Sequence, residues 1–184
     1  MDRDVFILSA VTAAGPVEAM GLATENTGFN PARVQDAIFG LESSSPFPNV
    51  EPFVRAAGLV CPAVAVSPGL RAVFFAAQSI LSGDLDIALV AGLGENVSTV
   101  LMLVSPEAVG RYNLLPRGRL AVRSLAGIDQ ALRTAGLASE DIAIFKTGEG
   151  GIPAVKELLE DLERSQAQWG MLASGSSALL VERI

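Results

Sequence analysis

An α/β fold is predicted by three features of the 184-residue chain. Half of its residues are hydrophobic and only 18% are charged, short apolar runs alternate with helix-period segments, and one helical segment is apolar almost all round. A chain of this composition buries a full core, which excludes disorder, a coiled coil and a disulfide-stapled miniprotein. The 13 basic and 20 acidic side chains give a formal charge of −7. That charge disfavours nucleic acid and anionic lipid as principal partners. One cysteine, Cys61, leaves no intramolecular disulfide and fits a reducing compartment. There is no histidine, so any catalysis lacks the usual general base near neutral pH and the commonest metal ligand.

The N-terminal Met-Asp-Arg-Asp is not the basic start of a signal peptide, and the long uncharged runs are broken by Pro, Gly or Ser; a soluble, cytoplasmic protein is expected. Val5–Leu8 reads as a buried strand. The stretch Gly15 to Pro31, with its Gly, Asn and Thr, reads as loop. Ala37–Phe39 is a further apolar segment, and Val50, Phe53, Val54 and Ala57 share a helical face ended by Gly58. Ala63–Val66 is a short strand. Ser67-Pro68 suits a helix start, with the hydroxyl as cap and Pro at the first helical position. The helix runs to Ser82, and its all-round apolarity places it between layers. After Gly83-Asp84, Ile87–Ala91 reads as a strand buried on both faces, followed by a strand over Thr99–Val104.

Arg111, Arg117, Arg119 and Arg123 then fall in a stretch without acids, the natural boundary between a first half of about 1–110 and a second of about 117–184 within one domain. Leu120–Val122 is a candidate strand. Ile128, Leu132 and Ala135 give a helix face closed by Gly136, and Ser139–Asp141 turns into a strand over Ile142–Phe145. Ile152, Val155, Leu158, Leu159 and Leu162 form an amphipathic stripe, and two closing strands fit Gly170–Ala173 and Ala178–Val181.

The segment from Gly69-Leu-Arg-Ala-Val-Phe-Phe through Ser82-Gly83-Asp84 into Ile87-Ala-Leu-Val-Ala91-Gly92 resembles the thiolase superfamily, which includes the ketoacyl synthases. The resemblance extends to Asp4–Ala10, Pro31–Gly40, Val104–Ala108, Ala131–Ile142 and Ala178–Arg183. It implies a layered α/β/α/β/α sandwich of two similar halves, each with a mixed sheet of the five-stranded type. Both halves look shortened here. Between the first two strands, Gly15–Pro31 offers no counterpart to the family's helix, and only Ser165–Gln168 separates the last helix from the closing strands.

Carried over residue by residue, the family's nucleophile falls on Val66, which has none; a one-residue gap moves it to Ser67. The loop that helps form an oxyanion hole matches Gly148-Glu149-Gly150, keeping Glu149 while Gly148 supplies no side-chain donor. No histidine exists for the Gly-His-Pro loop, and the late acid/base cysteine falls on Gly170.

Each candidate has a plainer reading beside it. Ser67 is a nucleophile or a helix cap, and Lys146 and Lys156 are the lysines that can serve it as base. Cys61 is a reactive thiol or a small buried hydrophobe. Gly148 and Gly150 can cradle an anion or simply turn the chain; Arg117 and Arg119 can meet coenzyme A phosphates or be a solvated connection. Asn96-Val-Ser98 fits the glycosylation pattern.

The resemblance implies a thiolase-like protein that has lost Claisen condensation and thiolysis. It would act as a non-catalytic subunit or an acyl-CoA-binding module, with no resident cofactor or metal and a coenzyme A thioester as ligand. Thiolase-like folds typically dimerise through a first-half strand, so a homodimer, or a heterodimer with a thiolase-like partner, is expected. The alternative is an acyltransferase or thioester hydrolase using Ser67 with Glu149 opposite.

Overall fold

The computed structural model describes residues 4–41, 48–94, 97–121, 127–148, 151–175 and 177–184. In chain order the first half comprises β1 (Val5–Ala13), α1 (Pro16–Glu25), β2 (Asp36–Gly40), α2 (Glu51–Ala56), β3 (Ala63–Val66), α3 (Leu70–Ser82), β4 (Ile87–Leu93), β5 (Ser98–Val104) and α4 (Pro106–Tyr112). The second comprises β6 (Gly118–Leu120), α5 (Ile128–Ala135), β7 (Ile144–Thr147), α6 (Gly151–Ser165), β8 (Trp169–Ser174) and β9 (Ser177–Arg183). Among the described residues, nine strands form one mixed sheet in the order β3-β2-β4-β5-β1-β6-β9-β8-β7. Five strands come from the first half and four from the second. The halves are therefore not two separate five-stranded sheets: β1 joins them by pairing antiparallel with β6, Val5 to Leu120, Phe6 to Arg119 and Ile7 to Gly118.

Strand alternation sorts the core into layers. On β4 and β5, Ile87, Leu89, Ala91, Val100, Met102 and Val104 point to one face, where they meet Ala19, Met20 and Ala23 of α1, Val54 of α2 and Ala108 of α4. Ala88, Val90, Leu101 and Leu103 point to the other, against Val73, Phe74, Ala77 and Ile80 of α3 and Val155, Leu158 and Leu162 of α6. Leu172, Leu179 and Val181 of the second half join this same inner cluster, whereas Met171, Ala178 and Leu180 face Ala131 and Leu132 of α5. Helix α6 touches β1, β4 and β5 as well as β7, β8 and β9. The sheet thus curls around α3 and α6, giving the layers α1/α2/α4, first half-sheet, α3/α6, second half-sheet and α5.

Two local expectations are corrected. The segment Gly15–Pro31 is not a loop: Pro16 opens α1, which buries Ala19, Met20, Ala23 and Thr24. Its threonines do not break it, because Thr24 Oγ1 donates to the carbonyls of Met20 and Gly21 and Thr27 Oγ1 to those of Ala23 and Thr24. Nor does Ser67-Pro68 start α3. The helix begins at Leu70 with Gly69 before it, and no side chain caps it. Residues 67–69 form a turn in which the carbonyls of Pro68 and Gly69 accept from the N–H groups of Arg71 and Ala72.

Helix α4, a single short element after β5, follows from a true cap. Ser105, fully buried, accepts from the Ala108 N–H at 3.1 Å and donates to Asp86 Oδ1 at 2.9 Å.

Two glycines should respond in opposite senses to alanine. A Cβ at Gly21 in α1 would meet nothing within 4 Å, so Gly21→Ala is expected to stabilise by about 0.5–1 kcal/mol through helix propensity. At Gly40 the same Cβ would lie 2.6 Å from a backbone oxygen, and Gly40→Ala should destabilise by about 1–3 kcal/mol. Urea unfolding of both variants checks the sign of each.

Candidate functional site

The parallel strands β2, β3 and β4 end on the same side of the sheet, beside the first turns of α3 and α6. In an open α/β sheet this carboxyl end is where ligands usually sit. Here the register places Val66, Gly40, Gly92, Thr99 and Thr12 side by side across β3, β2, β4, β5 and β1. Laterally paired residues share a face, so this row is the floor beneath the two helix starts.

Aliphatic side chains and bare backbone fill most of it. A Cβ at Gly40 would lie 2.8 Å from Ile152 Cδ1 and 2.9 Å from Gly69 Cα, and one at Gly92 would lie 3.1 Å from Ile152 Cβ and 3.4 Å from Pro153 Cδ. The two glycines are thus required by the seating of α6's first turn on the sheet. Gly69 in turn faces Gly151 Cα at 3.8 Å from its own Cβ position, so the N-terminal ends of α3 and α6 meet glycine to glycine. At the far end of the row, Thr12 Oγ1 and Thr99 Oγ1 are hydrogen-bonded at 2.9 Å. Among the described residues, this row carries no carboxylate, thiol or amine.

Val66, where the resemblance puts the nucleophile, packs against the inner core. Ser67 follows it, half-buried on the turn before α3. Neither lysine is free to act as its base. Lys146 Nζ lies 2.7 Å from Asp161 Oδ2 and 3.4 Å from Glu157 Oε2, and Lys156 Nζ lies 2.6 Å from Glu160 Oε1. The Asp161 carboxylate bonded to Lys146 holds the ammonium's pKa above its ordinary value, the opposite of what a general base needs.

Gly148 follows β7 with φ 134°, and its N–H donates to the Ala173 carbonyl; Glu149 and Gly150 lie outside the described residues. Gly170 lies within β8, where its Cβ position is 2.7 Å from Leu158 Cδ1, so glycine there serves the packing of α6. The arginines are already engaged. Arg117 makes a two-pronged pair with Glu163, Nε to Oε1 at 2.8 Å and Nη2 to Oε2 at 2.6 Å, and Arg119 binds Glu182 at 2.6 Å and Asp4 at 3.1 Å. Both sit at the junction of the half-sheets, where they neutralise carboxylates rather than present free guanidinium groups. Arg123 and Asn96 lie outside the described residues, and Ser98 is buried in β5. Among the described residues no group of His, Cys, Asp and Glu can hold a metal ion, and no helix is long and apolar enough to cross a membrane.

Ile152 is visible in the sequence as one member of the α6 stripe, but its seating on the Gly40–Gly92 pair is not. A signal was present, in that both glycines close apolar strand runs. What they pack against is set by α6, more than a hundred residues from Gly40.

Cys61 packs by its side chain against the outer core of the first half. Burial first, and the nearby Asp36 charge second, push its thiol up to about 11 from an ordinary 9.0. At neutral pH it is protonated and a poor nucleophile. Between these two values the unfolded chain has released the proton and the folded one keeps it, so the stability contributed by this thiol falls as pH rises from about 9 toward 11. Iodoacetamide at pH 8 should alkylate Cys61 at least about tenfold more slowly in the folded protein than in urea, as read by intact mass.

No protein-family model matches the chain, and no curated protein matches its sequence. Solved structures do match. The backbone is similar to that of human mitochondrial 3-ketoacyl-CoA thiolase, with TM-score 0.83 and 10% identity over 98% of this chain and 99% of that one. It is equally similar to Bacillus anthracis acetyl-CoA acetyltransferase, with TM-score 0.84 and 12% identity over 100% and 99% of the two chains. Together with the order of strands and the two inner helices, these superpositions identify the fold as thiolase-like.

Proposed function

We propose that this chain is a thiolase-fold protein without Claisen chemistry, acting as a non-catalytic subunit of a dimer. The observation that carries the proposal is the floor beneath the two helix starts, where Val66, Gly40 and Gly92 supply no reacting group and Ile152 lies directly on both glycines. The absence of histidine from the whole sequence supports the same reading, as do the paired lysines, which offer Ser67 no free amine as a base. A cytoplasmic location suits a chain with a single, unreactive cysteine.

The two ends of the sheet differ in a way that supports a dimer. Strand β3 is Ala-Val-Ala-Val, carries no charge, and leaves Val64 37% exposed. Strand β7, at the opposite end, carries Lys146 paired with α6 carboxylates, an inward-turned charge of the kind that discourages edge pairing. One open edge and one guarded edge favour a closed pair over a filament. The partner is a second copy or a complete thiolase-fold protein.

An acyl-CoA-binding role for the same protein rests on the converging N-terminal ends of α3 and α6, whose dipoles favour an anionic group. Thermal unfolding with acetyl-CoA and palmitoyl-CoA separates the roles. An unchanged Tm is expected for a subunit alone, and a rise with ligand concentration for a binding module.

Incubation with acetyl-CoA or palmitoyl-CoA should leave the intact mass unchanged and release no free coenzyme A. An acyl adduct on Ser67 would replace this reading with an acyltransferase. In sedimentation at micromolar concentration the protein should run as a dimer, or co-purify with a thiolase-fold partner, and Val64→Lys should shift it toward monomer without changing its circular dichroism. A monomeric wild-type protein with no partner would overturn the subunit proposal.

A further inference from the structure

We draw no further inference here: the strongest candidate, the unpaired outer edge of β7 with the half-exposed Phe145 on its outer face, carries none because nothing in the structure shows what covers it.

Discussion

The seating of Ile152 on Gly40 and Gly92 is the contact on which the rest of the architecture depends. It fixes the start of α6 against the first half-sheet, although α6 belongs to the second half by chain order. From that point the helix carries Val155, Leu158, Leu159 and Leu162 into a core shared by both half-sheets. A Cβ at Gly40 would run into the Gly69 backbone and Ile152, and one at Gly92 would press on Ile152. Burying one such aliphatic side chain is worth about 1.5–3 kcal/mol, and here a whole helical stripe depends on two missing methyl groups.

The same contact also sets what the row beneath the helix starts can offer a ligand. In a thiolase-like fold the helix starts and strand ends converge, and convergence alone is suited to binding a negative charge. Catalysis would further require a nucleophile, a base, and room for a substrate. This chain puts an aliphatic side chain and glycine backbone at the point of convergence, a valine at the position matched to the nucleophile, and its lysines in ion pairs elsewhere. The described row beneath the helix starts offers aliphatic carbon, bare backbone and two threonine hydroxyls bonded to each other.

Much of this was legible from the sequence where local pattern and tertiary role coincide. Helix α3 shows its place between layers because its apolar residues cover most of its circumference, and the stripe on α6 marks its inner face equally well. Helix α1 was missed because its buried side is made of small residues, Ala19 and Ala23 beside Met20, and because threonines that bond back to the preceding turn resemble breakers. Ser67-Pro68 misled in the other direction, since a good local cap signal was overridden by the close approach of Gly69 to Gly40 and Gly151. The row from Val66 to Thr12 was not legible at all. Its members are drawn from five strands, and lateral register is a property of the sheet rather than of any one segment. Arg117 and Arg119 show the same limit: their spacing is visible in the sequence, but their carboxylate partners lie 46 to 115 positions away.

The curling of one sheet around α3 and α6 also bears on how the chain reaches its native state. Strand β1 pairs with β6 more than a hundred positions later, and although α3 covers part of the inner face of the first half, the part under α6 stays open until that helix has formed. The first half, with helices of its own on both faces, can therefore complete only part of its core while the chain is being made. Non-local pairing of this kind slows folding, and it leaves the strip of β4 and β5 that α6 covers exposed to other chains until the last third of the sequence arrives. During synthesis, a chaperone or an early partner at that face would protect the protein at its most aggregation-prone stage.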